Sequence, residues 1–89
     1  MMKYYNEQQV AQHQSSTNES IWIIIDDYIL DVTDFLDNHP GGPNVIINYS
    51  AKDCTSIFKQ IHSIQAKQMA KQFIIGKLIK KRKLSDNNQ

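Results

Sequence analysis

Cysteine, proline and glycine are scarce in this chain, at one, two and three residues among 89. With Cys54 alone, no disulfide can close within the chain, and no cysteine-based zinc or iron–sulfur motif can be assembled. A single thiol suits a reducing compartment, and Cys54 reads as a small buried apolar residue. No apolar run approaches the roughly 20 residues that cross a bilayer. Residues 1–9 are polar and lack the apolar core of a signal peptide. These absences predict a soluble, cytoplasmic domain without a membrane span, located at a membrane surface only where a C-terminal anchor follows. Internal repeats and low-complexity stretches are missing too, which excludes solenoid and collagen-like architectures.

Eighty-nine residues make one domain at most. A domain of that size is marginally stable on its own and often gains stability from a bound metal or other ligand. The net charge is only +1, yet the halves differ. Residues 1–50 hold one base, Lys3, against seven acids, for −6; residues 51–89 hold nine bases against two acids, for +7. Such a dipole orients a charged partner. It is unlike the uniform basic stripe of a nucleic-acid binder, so no nucleic-acid function is expected.

The patterning is mixed. Glu7 to Gln14 reads as a short helix, in an N-terminal stretch of 20 residues with no strong strand. Gln14 to Ser20 reads as a loop. Ile21 to Ile25 is β-branched and strand-length, Asp26-Asp27 supplies a tight turn, and Tyr28 to Val32 returns as its partner. Thr33 is placed to cap a short helix over Asp34–Asn38, which Pro40 closes after His39. Gly41-Gly42 permits a sharp turn, and Pro43 suits the first position of a helix reaching about Ser50. Asp53 is placed to cap a helix carrying Cys54, Ile57, Phe58 and Ile61 at amphipathic spacing. A last helix, Gln65 to Gln72, has the stripe Ala66, Met69, Ala70 and Phe73, and Phe73 to Ile75 reads as a short strand. The expected fold class is therefore α+β: a small mixed sheet carrying two helical hairpins. Residues 1–79 form the expected domain, and 80–89, with the basic run Lys80 to Lys83, a disordered polar tail.

Each hairpin has a histidine at or near its turn, His39 and His62. Two imidazoles facing each other across a slot can hold a metal. The slot would be lined by Phe35, Val45, Ile46, Phe58, Ile61, Met69 and Phe73. An apolar, flat-sided slot suits a porphyrin and suits a bare zinc ion poorly, since zinc gathers three or four donor side chains. The second imidazole nitrogen of each ligand should donate to a backbone carbonyl, which the Gly41-Gly42 turn can bring to His39. Ser63 is placed to meet a porphyrin carboxylate at the rim. On periodicity alone the competing reading is strong: histidines at helix ends are commonly surface or capping residues, and an aromatic stripe is commonly plain core.

The segment from Asp31 to Gly42, ending in His39-Pro40-Gly41-Gly42, resembles the haem-binding signature of the cytochrome b5 family. Further matches follow in order. Lys52-Asp53-Cys54-Thr55 is similar to a family step before the third helix. Phe58 and His62-Ser63 are similar to the second ligand region, and Phe73-Ile74-Ile75-Gly76-Lys77-Leu78 to the closing strand. Trp22 and Val10-Ala11-Gln12-His13 fit the N-terminal part. The resemblance spans roughly residues 4–79. It implies haem b, held non-covalently between His39 and His62, in a pocket of Phe35, Val45, Ile46, Phe58, Ile61 and, further along, Ala66, Met69 and Phe73. Pro40, Gly41, Gly42 and Ser63 complete the implied cofactor contacts, and His13 is implied not to be a ligand. The same resemblance implies a one-electron carrier, not itself an enzyme, working as a monomer between a flavin-containing reductase and a downstream redox acceptor.

Members of the family commonly surround the exposed haem edge with acids. Here Pro43, Asn44, Asn48 and Ser56 are uncharged, Lys59, Gln60 and Lys67 lie near His62, and Asp37 is the remaining acid. A partner that is less basic, or acidic, is expected. Three other readings stay open: a haem domain of a larger fused oxidoreductase, a ligand-binding module like the steroid-binding relatives of the fold, and an interaction domain without cofactor. The pair His39 and His62 weighs against the steroid-binding alternative.

Overall fold

The computed structural model describes residues 2–14, 20–39, 42–61 (Ile61 by its backbone alone) and 64–79. Four strands, β1 (Tyr4–Tyr5), β2 (Trp22–Ile25), β3 (Tyr28–Asp31) and β4 (Ile74–Leu78), form one sheet in the order β1-β4-β3-β2. β2–β3 and β3–β4 are antiparallel and β1–β4 is parallel, so the sheet is mixed, as expected. Helices α1 (Glu7–Ala11), α2 (Pro43–Ile47), α3 (Thr55–Ile61) and α4 (Ile64–Ala70) surround it. A 3₁₀ helix, Thr33–Asn38, precedes α2, and a 3₁₀ turn, Lys71–Phe73, follows α4. Among the described residues no helix is long and apolar enough to cross a membrane.

The hairpin follows from its turn chemistry. Asp26 and Asp27 both take left-handed backbone angles (φ 52 and 66), which match the twist of a two-residue hairpin. The Asp26 amide donates to Thr55 Oγ1 at 2.8 Å, tying the turn to the start of α3. Every residue from Ile21 to Ile25 is buried. Alternation sends Ile21, Ile23 and Ile25 to one face with Leu30 and Val32, and Trp22 and Ile24 to the other with Val10 and Ile29. The second face is closed by α1, whose capping box joins Asn6 and Gln9 reciprocally at 2.7 and 2.8 Å. Val10, at 1% exposure, is the helix's anchor. The first face carries α2, α3 and α4.

Four expectations need correction. The N-terminal stretch does contain a strand: β1 exists because the Lys77 and Ile79 amides donate to the Lys3 and Tyr5 carbonyls, a pairing no local pattern announces. Thr33 does not cap the 3₁₀ helix. Its hydroxyl donates to Asp31 Oδ1 at 2.6 Å and accepts from the Ile21 amide at 2.8 Å, so it locks the strand ends instead. α2 stops at Ile47 and continues as turns, and β4 runs on through Gly76 to Leu78 rather than ending at Ile75. Asp53, by contrast, does serve α3: its Oδ1 accepts from the Thr55 amide at 2.9 Å. The tail 80–89 and its basic run lie outside the described residues.

Candidate functional site

The face carrying α2, α3 and α4 encloses a cleft of about 670 Å³. Its floor is the sheet: Ile23 and Ile25 of β2, Leu30 of β3, and Val32. One wall is Phe35 of the 3₁₀ helix with Val45, Ile46 and Tyr49 from α2 and its following turn. The other is Cys54, Ile57 and Phe58, from α3 and the residue before it, facing Ala66, Met69 and Ala70 of α4, with Phe73 beyond. Its only polar lining side chains among the described residues are His39, Tyr49, Cys54 and Gln65. Val45, Ile57 and Met69 are exposed although they line it, so apolar surface faces the opening.

His39 sits at the end of the 3₁₀ helix, on the lip of this cleft. Its Nδ1 meets the Gly42 carbonyl at 3.0 Å, the backbone partner anticipated from the glycine turn. Gly42 reaches that position at φ 91 and ψ 161, in the region that glycine alone occupies readily. The Gly42 amide in turn donates to the His39 carbonyl at 2.9 Å, closing a tight turn around the imidazole. With Nδ1–H committed to a carbonyl, the ring is fixed as the tautomer whose lone pair is on Nε2. The Phe35 ring stands edge-on to His39 (centroids 5.8 Å apart, planes at 79°) and lies 5.1 Å from the Phe73 ring.

The implied pocket residues thus divide. Phe35, Val45, Ile46, Phe58, Ala66, Met69 and Phe73 do come together around one cleft with His39. Gly42 does not line it and acts through its carbonyl. His62 and Ser63, between α3 and α4, lie outside the described residues, as do Pro40, Gly41 and the Ile61 side chain. His13 is remote. It stacks on Trp22 (3.5 Å, 3°), and its Nδ1 contacts Ser20.

Sequence reasoning missed the floor. Ile23, Ile25, Leu30 and Val32 carry a period-2 signal, but in a wholly apolar run that signal does not say which face is the site. Cys54 was read correctly as buried, yet it also borders the cleft. Burial, and then the Asp53 carboxylate beside it, push its thiol up to about 11. With a single imidazole on an apolar lining, the cleft suits a large apolar group better than a bare ion. Among the described residues, no three His, Cys, Asp or Glu side chains come together as a metal-ion site.

Comparison with known proteins agrees with this architecture. The cytochrome b558 of Ectothiorhodospira vacuolata, a prokaryotic homologue of cytochrome b5, superposes with a TM-score of 0.75 at 25% identity, covering 88% of this chain and all of that one. The cytochrome b5 of Ostreococcus tauri virus 2 gives a TM-score of 0.73 at 30% identity over 84% of this chain and 83% of its own. In sequence, a Betula pendula nitrate reductase [NAD(P)H] is 41% identical over 96% of this chain, which spans only 9% of that protein. Cytochrome b5 of Drosophila melanogaster is 39% identical over 93% of this chain and 61% of its own length. The family described as Cytochrome b5-like Heme/Steroid binding domain matches residues 6–79, and the chain belongs to that family.

Proposed function

We propose that the cleft holds haem b non-covalently, with the iron between His39 and His62, and that the domain is a one-electron carrier. The observation that carries this reading is the lip histidine itself: Nδ1 bound to the Gly42 carbonyl, on an apolar cleft of about 670 Å³. That volume falls within the range typical of cofactor pockets. Bound there, haem iron supplies a reversible one-electron couple. The chain's own residues do the rest. The Gly42 carbonyl holds the His39 ring angle and raises the basicity of Nε2. The floor of Ile23, Ile25, Leu30 and Val32 keeps water from the buried side, and a dry site tunes the potential. Were His39 and His62 both to hold the iron, they would leave it no coordination site for dioxygen or a substrate. That is the physical reason for a carrier rather than an enzyme.

In this reading residues 1–79 are the working unit, 80–89 a tail, and the monomer passes electrons from a flavin-containing reductase to an acceptor in the cytoplasm. The alternative, a haem domain within a larger oxidoreductase, is favoured by one observation: 41% identity to a nitrate reductase of which this chain spans only 9%.

Absorption spectra of the haem-supplied protein test the proposal in the oxidised, reduced, and reduced plus carbon monoxide states. Sharp low-spin bands indifferent to carbon monoxide are expected. His39→Ala and His62→Ala should each give a five-coordinate, carbon monoxide-binding haem or lose it, while His13→Ala keeps the parental spectrum. A parental spectrum in either variant refutes the assignment of that histidine as a ligand.

A further inference from the structure

Beside the haem cleft lies a second, smaller groove of about 210 Å³. The two share Ile25, Leu30, Phe58 and Ala70, so a single layer of side chains separates them. Three lysines line the small groove: Lys59 of α3, Lys67 of α4 and Lys71 of the 3₁₀ turn. Lys77 stands 5.3 Å from the centre of the Tyr28 ring, which also lines it, and adds a fourth cation alongside. Asp26 is the one carboxylate lining it among the described residues, and it is already paired with Lys59 at 2.8 Å. Lys67 and Lys71 form no ion pair among the described residues. The acids of the other lip, Asp34 and Asp37, are exposed on the 3₁₀ helix and line neither groove.

We propose that this lysine-rimmed groove is the docking site for an acidic redox partner protein, which seats one apolar side chain between carboxylates that meet Lys67 and Lys71. Size argues for a protein surface: the groove is smaller than the ~300–1,000 Å³ pockets that enclose small-molecule ligands. Charge sets the sign of the partner, because unpaired lysines around a concave apolar floor repel a basic surface and steer an acidic one. Position gives the contact its use. Phe58 and Ala70 border both grooves, so a partner docked there is one side-chain layer from the haem cleft. The inference rests on the haem reading.

The test uses the haem-loaded full chain and, as probe, a reduced plant-type ferredoxin, an acidic one-electron donor of low potential. Haem loading is verified by spectrum before any kinetics. Stopped-flow reduction should slow steeply as ionic strength rises. The double variant Lys67→Gln/Lys71→Gln should lose roughly tenfold in second-order rate at low salt and flatten that dependence. Lys3→Gln/Lys52→Gln removes the same charge away from the groove and should leave most of the rate intact. A rate indifferent to salt, or equal losses in the two double variants, overturns the docking site. A protein that takes up no haem refutes the haem reading, and this proposal with it.

Discussion

Replacing Gly42 by alanine isolates a purely conformational cost at the candidate site. A Cβ built on Gly42 meets no atom of the described residues within 4 Å, so among them the new methyl clashes with nothing. The backbone, at φ 91 and ψ 161, is another matter. Holding an L-residue there costs roughly 1–3 kcal/mol, or about 5- to 150-fold in an equilibrium constant. That cost can surface in two places. If the turn keeps its shape, it appears as lost stability, and 1 kcal/mol lowers Tm by about 4–8 °C in a domain of this size. If the turn relaxes, the Gly42 carbonyl swings away from His39 Nδ1, now 3.0 Å distant, and the ring loses its anchor. Loss of such a partner typically weakens metal binding about 10- to 100-fold. Denaturant unfolding of the apo-protein and haem titration together capture both routes. Gly42→Asn should not rescue, because asparagine tolerates the αL basin and ψ 161 lies outside it. An alanine variant matching the parent in both stability and haem affinity refutes the argument that this turn orients His39.

Two further substitutions probe the scaffold. A Cβ at Gly76 would lie 2.6 Å from Tyr5 Cε2 and 2.7 Å from the Lys3 carbonyl oxygen. The tyrosine ring can rotate but the β1 backbone must move, so Gly76→Ala should cost about 1–3 kcal/mol in chemical denaturation with haem affinity unchanged. Parental stability would mean that β1 is not held against β4. At Cys54 the native thiol keeps its proton to about 11, against 9.0 as its ordinary value, so at pH 8 its thiolate fraction is depressed ~100-fold. Alkylation by iodoacetamide should slow at least that much relative to the unfolded chain. Between pH 9 and about 11 the native state binds the extra proton, so stability should fall as pH rises through that window, with a shallower slope in Cys54→Ala. Alkylation of the folded protein at the free-thiol rate would contradict the burial.

The local devices were legible in the chain because they act over a few residues. The Asp26-Asp27 turn, Pro43 at the head of α2, Asp53 before α3 and the apolar stripes of α3 and α4 all appear where their chemistry placed them. The segment ending in His39-Pro40-Gly41-Gly42 was legible for the same reason: the proposed ligand His39 and the Gly42 carbonyl that anchors its ring lie three positions apart. Distance in sequence hid the rest. β1 is two residues long and exists only through backbone bonds to β4, more than seventy positions away. The cleft floor needed the sheet to choose which face of Ile21–Ile25 met α2, α3 and α4, a choice that an unbroken apolar run does not encode. Thr33 had two chemically sound uses, helix cap or strand clasp, and the nearness of Asp31 and the Ile21 amide decided between them. The same holds for charge. Sequence alone determined that the second half of the chain is basic, but only tertiary structure gathered Lys59, Lys67 and Lys71 around one apolar groove, because three separate elements had to fold back on one hairpin to bring them together.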